Sequence, residues 1–556
     1  MTHEDVLATP GSPRKWLVLI AVSLGLFMAL LDATIVNIAV PAIMRDLHAS
    51  IASVSWVLNS YNLALTVLLL SMGKIADRFG QKRVFVGGLL TFTAFSLAVG
   101  LAPSIGWLIA FRVAQAVGAA AMVPISLTIL LGVFPREQHG MATGLWAALG
   151  AVAAAAGPTL GGLLTEYGSW HWIFFVNVPF GVAAVVASLV YVPERRRAGA
   201  TRIDLGGLAL SAVSLFSLTL ALIEGNNWGW TSLRVTGLFG VAILGALAFV
   251  VWELRASAPM LDLRLFRIRS FAAANSAFLL IGVAMMGSIF LLVIFMVNVM
   301  GYSELRAAIA ITPQPLTGLL LAPIAGRVVD RWGPRLPGVI GALGFSGGLL
   351  ALTQLNASSG LDDIVWRTVI LGVGMGFSMP GFMAAGMGSL PEEHGGVGSG
   401  AINTARQLGF VLGVAVLVAI FTSSMTTALS TATTQAKAVV AQQPGLTQPM
   451  RMQVDGALER MQQSAVQGGT AGSAALKDPL AALPAPPAGS PQAVQAATLK
   501  ARVHAIYRDQ IGGAFKTPFT VAAGVAFLIV IPALFTGRRL GAHLGAHEGK
   551  IAPWGV

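Results

Sequence analysis

The chain has 556 residues, of which 55% are hydrophobic and only 10% charged, with a mean hydropathy of +0.77 and a formal net charge of +12. Soluble globular proteins carry about 25% charged residues, so the composition excludes a soluble enzyme or binding module and points to an all-α polytopic membrane protein. Zero cysteine excludes disulfides, thiolate metal sites and a cysteine nucleophile.

Apolar runs of at least about 17 residues, taken in chain order, give about fourteen spans. The first, 16–40, is too long for a signal-peptide core of roughly 7 to 15 residues and is read as a retained span. Five follow at 52–72, 84–102, 107–133, 141–164 and 172–192, then two at 204–223 and 235–254. Five more lie at 272–299, 307–329, 337–355, 364–388 and 399–422, and the last at 515–536. Long period-2 alternation, the mark of a membrane β-barrel, is absent.

Basic residues cluster in alternate short connections, about 21 on one side against about 4 on the other, and the positive-inside rule then places both termini in the cytoplasm. The +12 charge therefore reflects topology rather than nucleic-acid binding. The connection 423–514, with "AQQPGLTQPM" and "PLAALPAPPAGSPQ", reads as an outer, largely flexible spacer. Two pieces, 449–463 and 496–510, are candidate amphipathic helices.

Two cytoplasmic connections repeat: "GKIADRFGQKR" at 73–83 after the second span and "GRVVDRWGPR" at 326–335 after the tenth. Gly73 and Asp77 share a helix face, Gly80 suits a helix C-cap, and Lys82 and Arg83 fall in the cytosol. A small residue with a carboxylate at a helix end can dock on a neighbouring helix N-terminus or basic group and hold one conformation. Gly73, Asp77, Arg78, Gly80, Lys82 and Arg83, with Gly326, Asp330, Arg331 and Gly333 in the second copy, are the candidate conformational gate. The plainer reading, topogenic charge, leaves the repeated aspartates unexplained. Duplicated halves rocking about a midplane site are the build of secondary transporters.

The pattern Gly-x-x-x-Asp-Arg-x-Gly-x-Lys/Arg resembles the signature loop of the major facilitator superfamily. "LDATIVNIAVP" (31–41), "WHWIFFVNVPFG" (170–181) and "GAINTARQLG" (400–409) resemble the first, sixth and thirteenth spans of its fourteen-span drug:proton antiporters, the EmrB/QacA type. The resemblance covers nearly all of the chain except the long outer loop. It implies a major facilitator fold of two six-helix bundles plus two inserted helices. The expected plan is a cytoplasmic tail (1–15), an N-terminal bundle (16–195), a two-helix insert (196–260), a C-terminal bundle (261–536) that includes the 423–514 loop, and a cytoplasmic tail (537–556).

In span five, "GAVAAAAGPTLGG" places Gly150, Gly157 and Gly161 within about 60° of one helix face, with Ala154 beside them and Gly162 closing the motif. Such a stripe allows close helix approach, and Pro158 allows a bend. It resembles the antiporter motif of the family's exporters, which implies outward transport; ordinary small-residue packing is the alternative. Span four carries Arg112 and Gln115 in "FRVAQAVGAA", resembling Arg-x-x-Gln-Gly-x-Gly with Ala116 where the first glycine belongs. Arg112 lies roughly 7 to 8 Å deep at about 1.5 Å per residue, where it either snorkels outward or finds a partner.

Asp32 lies about four residues, roughly 6 Å, beyond the midpoint of span one, at a level comparable to Arg112. A buried carboxylate holds a proton while isolated and releases it beside a cation or in a water-filled cavity, and carboxylates inside a membrane are functional by default. Asp32 and Arg112 are therefore the candidate proton-coupling pair, with a purely structural ion pair as the alternative. Candidates for the substrate cavity are Asn37, Gln115, Trp146, Met285, Phe290, Met379, Asn403, Arg406 and Gln407; polar or apolar packing between helices explains the same residues.

No phosphate-binding loop, metal-ligand cluster or nucleophile motif stands out, so no enzyme activity, cofactor or metal is expected, and the proton is the coupling ion. The leading expectation is a proton-coupled exporter of amphipathic cationic or neutral compounds, working by alternating access in the cytoplasmic (inner) membrane, functional as a monomer. Its partners would be the bilayer, a small-molecule substrate and a periplasmic adaptor docking through 423–514, with no nucleic acid. The alternatives are a proton-coupled transporter of a specific metabolite, amino acid or lipid, and a non-transporting sensor or adaptor-docking scaffold.

Overall fold

In the computed structural model the described residues are 14–135, 138–194, 204–257, 259–390, 395–443, 448–467 and 491–537. Every regular element among them is helical, as a lipid-embedded backbone requires, because only internal hydrogen bonds satisfy its polar groups there. The first bundle comprises α1 (Arg14–Asp46), α2 (Ile51–Phe79), α3 (Gln81–Gly100), α4 (Ile105–Val133), α5 (His139–Tyr167) and α6 (Trp172–Tyr191). The insert is α7 (Leu205–Trp228) and α8 (Leu233–Arg255). The second bundle comprises α9 (Arg269–Val299), α10 (Glu304–Trp332), α11 (Arg335–Leu352), α12 (Leu361–Met387) and α13 (Gly395–Gln442). After α14 (Gln448–Gln467) and α15 (Pro491–Ala514), α16 (Lys516–Leu528, continuing as Val530–Phe535) completes it.

By length and composition, thirteen helices among the described residues can cross a membrane; α5, a further helix of 29 residues, lies along α1. Both expected terminal tails fall almost wholly outside the described residues. Serine caps start several helices: Ser50 accepts from Ser53 N at 3.0 Å, and Ser303 from Arg306 N at 3.2 Å. The turn between α2 and α3 needs Gly80, whose φ is +107° and whose N–H donates to Ala76 O at 2.9 Å.

Within the first bundle α1 packs on α5, and α4 on α2 and α3; within the second α9 packs on α13, and α12 on α10 and α11. The bundles meet along two seams, α2 with α13 and α5 with the first turns of α10. The insert lies over the first seam, because α7 packs on both α2 and α13, with Trp56 and Phe216 ring centroids 5.9 Å apart. Its other helix, α8, leaves Ile243, Leu244, Leu247 and Val251 exposed, an apolar face suited to lipid. The end of the molecule where α2 and α8 finish and α3 and α11 begin carries Lys74, Lys82, Arg83, Arg255 and Arg335 and is its basic end; the other is the opposite end.

The 423–514 connection differs from the flexible spacer expected of its composition. Helix α13 runs past its expected limit at 422 as far as Gln442, and α14 and α15 pack on that extension. Val440, Val454, Leu458, Leu499, Val503 and Tyr507 form a buried core there. Thr433 and Tyr507 hydroxyls lie 2.8 Å apart, and Lys437 pairs with Glu459 at 2.5 Å. Burial of one apolar face offsets the ordering cost that polarity and proline suggested would win. Residues 444–447 and 468–490, which include most of the proline-rich stretch, lie outside the described residues.

Candidate functional site

Asp32 and Arg112 form an ion pair inside the first bundle. Arg112 Nη1 donates to Asp32 Oδ2 at 2.5 Å and to Gln115 Oε1 at 2.7 Å, and Arg112 Nε to Val57 O at 3.3 Å. The other carboxylate oxygen, Asp32 Oδ1, accepts from Gln115 Nε2 at 3.0 Å and Asn177 Nδ2 at 3.3 Å. Ser96 Oγ accepts from Gln115 at 2.6 Å and Asn177 at 3.4 Å. The guanidinium lies 4.0 Å from the Tyr61 ring centroid. Asp32 is 0% and Arg112 1% exposed, so the snorkelling alternative does not describe this arginine. A charge pair this deep is compensated only by such additional hydrogen bonds.

Five helices of one bundle, α1, α2, α3, α4 and α6, therefore build the cluster. It is a closed network within the first bundle, not a wall of an open cavity between bundles. Asn177, Ser96 and Tyr61 were not among the sequence candidates. Asn177 belongs to the quoted "WHWIFFVNVPFG" stretch, which held a signal; Ser96 and Tyr61 had none short of the fold.

The glycine stripe of α5 faces the part of α1 that carries Asp32. A Cβ on Gly150 would lie 2.8 Å from Leu30, one on Gly157 1.9 Å from Thr34 Oγ1, and one on Gly161 2.9 Å from Ile35. Gly162 faces the other bundle, where a Cβ would lie 2.7 Å from Ala308. Pro158 is buried within α5. Gly157→Ala is expected to force α1 and α5 apart, at about 1 to 3 kcal/mol for overpacking, lowering transport roughly 5- to 150-fold if that strain falls on one conformation. Gly73→Ala, with open space around it, is expected to leave stability unchanged; thermal unfolding and transport of the two variants side by side check both.

At the opposite end the bundles are pinned together. Arg45 of α1 pairs with Glu304 of α10, Glu166 of α5 accepts from Leu305 N at 3.0 Å, and the Thr159 and Thr312 hydroxyls lie 2.7 Å apart. None of these residues was singled out from sequence.

Among the described gate candidates, Lys82 and Arg83 lie against the end of α6. Lys82 N donates to Glu194 Oε1 at 3.3 Å, Lys82 Nζ to Leu189 O at 2.7 Å, and Arg83 lies 3.5 Å from Glu194. The first loop is thus held on the end of α6 in its own bundle, and a Cβ on Gly80 would collide with Glu194 at 2.4 Å. Arg78 is exposed, with its guanidinium 5.5 Å from the Phe79 ring centroid. The Asp77 side chain lies outside the described residues. In the second copy Asp330 and Arg331 are exposed, Gly326 has open space around it, and Gly333 ends α10 at φ +79°.

The cavity candidates do not converge. Asn37 donates back to Ala33 O at 3.2 Å, and Trp146 Nε1 donates to Ser126 Oγ at 3.1 Å. Phe290 is wholly buried in second-bundle packing and Met379 partly so. Met285 lines a small space of about 10 Å³ with Ser288 and Gln314, room for about one water. On α13, Arg406 Nη2 donates to Asn403 Oδ1 at 2.9 Å, while Arg406 Nε and Gln407 Oε1 have no partner among the described residues. Gln115 alone of these candidates joins the Asp32 cluster.

The family model described as Major Facilitator Superfamily matches residues 22–414. The chain is 35% identical over 546 residues to the tetracenomycin C resistance and export protein of Streptomyces glaucescens, covering 97% of this chain and 95% of that protein. It is 37% identical over 403 residues to the multidrug resistance protein Stp of Mycobacterium tuberculosis (strain CDC 1551 / Oshkosh), covering 72% and 75%. Among solved structures, a bacterial homolog of the human lysosomal transporter Spinster matches with a TM-score of 0.59 at 16% identity, over 95% of this chain and 99% of that one.

Proposed function

The chain belongs to the major facilitator superfamily, and from that premise we propose that it is a drug:proton antiporter, exporting amphipathic cationic or neutral compounds from the cytoplasm by alternating access. As a member of that family it is an integral membrane transporter of small molecules. The observation that carries the finer reading is the buried Asp32–Arg112 pair with its neutral partners Gln115, Asn177 and Ser96. It is a charge arrangement that one proton would rearrange. The drug class is taken from the resistance and export roles that name the two relatives.

The positive-inside rule assigns the basic end to the cytoplasm of the inner membrane, so the pinned end faces outward and this conformation is closed to the outside. Helix α1 carries both Arg45, in the outer pin, and Asp32; α5 carries Glu166, in the same pin, and the glycines that grip α1 around Asp32. Opening the outer end therefore moves the segments that flank the carboxylate. In this reading Asp32 takes a proton when the outer end opens, releasing Arg112 to Gln115, Val57 O and the Tyr61 ring. It gives the proton up when the transporter closes again and the ion pair re-forms. Substrate need not touch Asp32: the coupling passes through helices that both the gate and the proton site share.

Everted membrane vesicles with an acid interior are expected to accumulate a cationic dye such as ethidium, and to lose it when nigericin collapses the pH gradient. Accumulation that requires protons and dye to move in the same direction would sink the antiport reading.

A further inference from the structure

Buried acids that the transport reading leaves unused lie at the basic end of the insert. Asp204 caps α7, its Oδ1 accepting from Gly207 N at 2.8 Å and Trp252 Nε1 at 2.7 Å. Glu253, near the end of α8, accepts from Leu261 N at 3.0 Å through Oε2. Asp204 is 9% and Glu253 3% exposed, and each has one oxygen, Oδ2 and Oε1, that receives no donor. A Cβ built on Gly207 would lie 2.5 Å from Glu253 Oε1 and 2.8 Å from Asp204 Oδ2. The two leftover oxygens thus converge on the space a glycine leaves open. Ionised carboxylates offer only acceptors, so a hydrogen bond between them requires a proton.

Lys74 reaches the same place from the last turns of α2, within the first gate motif. Its Nζ donates to Pro259 O at 2.7 Å, and Ser71 Oγ donates to Met260 Sδ at 3.2 Å, both in the connection that follows α8. Burial pushes the Lys74 ammonium below the usual lysine range, and the negative fields of Asp204 and Glu253 act against that shift.

We propose that Asp204 and Glu253 hold a single proton between them, and that this singly charged acid pair, seated against Lys74, fixes the two-helix insert to the basic-end loop of the first bundle. One proton leaves one negative charge to face one ammonium. Two ionised carboxylates would repel in a buried site, and two protonated ones would leave Lys74 without that charge. Asp204, Glu253 and Lys74 are positioning residues. They tie the basic end of the insert to α2, whereas its opposite end hydrogen bonds to α13, through Asn226 Nδ2 and Ala419 O at 2.6 Å. The insert then travels with the first bundle at the basic end.

Infrared spectra of the full-length protein in lipid at neutral pH read the shared proton as the carbonyl stretch of one protonated carboxyl. Spin labels at Leu254→Cys and Leu90→Cys, both exposed positions in a chain without cysteine, read the distance from the insert to the first bundle. Glu253→Gln and Asp204→Asn each keep a donor between the side chains; each is expected to remove that stretch and leave the label distance unchanged. Gly207→Ala, whose methyl fills the space of the two oxygens, is expected to remove the stretch and broaden the distance distribution, and Lys74→Met to broaden it too. A stretch absent from wild type, or surviving in both amide variants, overturns the shared proton. A distribution that stays narrow in both Gly207→Ala and Lys74→Met overturns the latch. Neither readout depends on which compound is moved or in which direction.

Discussion

Asp32→Asn is expected to reach the membrane, with reduced stability, and to lose proton-coupled transport. A proton moving inward across 100 mV supplies about 2.3 kcal/mol, which at about 1.36 kcal/mol per tenfold sustains roughly a 50-fold gradient of a neutral substrate exchanged for one proton. In proteoliposomes the variant should sustain a ratio of about one, because an amide cannot release the proton that ties the two fluxes together. Substrate-induced proton release should vanish with it. Asparagine keeps an acceptor for Gln115 and Asn177, and Arg112 keeps Gln115 Oε1, Val57 O and the Tyr61 ring. The cluster therefore retains its shape while its titratable member is gone. Undiminished substrate-induced proton release in Asp32→Asn would overturn Asp32 as the coupling residue.

The fold was legible because its signals are local. Apolar length set the spans, and "GKIADRFGQKR" with "GRVVDRWGPR" exposed the duplication. The depth argument put Asp32 and Arg112 at one level, and rise per residue is a property of any helix; which helix faces which is not. The partners that complete the pair, Asn177, Ser96 and Tyr61, come from three further helices and were invisible for that reason. The pins at the opposite end had the same difficulty, since Arg45 and Glu304 are 259 residues apart in the chain. The glycines of α5 were read as a packing stripe, but that they grip the two sides of Asp32 emerged only with α1 in place. In the 423–514 segment the two amphipathic candidates, 449–463 and 496–510, fall within α14 and α15, and only the overall expectation of a flexible spacer misled, because the composition averages these helices with a proline-rich stretch. Their buried faces, around Val454, Leu458, Val503 and Tyr507, are short.

Arg112→Met is expected to cost about 3 to 5 kcal/mol of stability, the penalty for leaving one member of a buried ion pair without the other. Gradual unfolding in mixed detergent, followed by helical signal, measures it against wild type. The double variant Asp32→Asn, Arg112→Met leaves no charge at the site and is expected to recover most of that loss, because two neutral side chains of similar size no longer need each other's field. The pair of results separates the two roles a buried acid can have. If Asp32 served only to hold Arg112, the double variant would regain coupled transport along with stability, since nothing would remain for either residue to hold. If Asp32 carries the proton, stability returns and coupling does not. We expect the second outcome: a stable double variant that sustains no substrate gradient against an imposed proton gradient, with the ion pair contributing little net stability and kept because one of its members titrates.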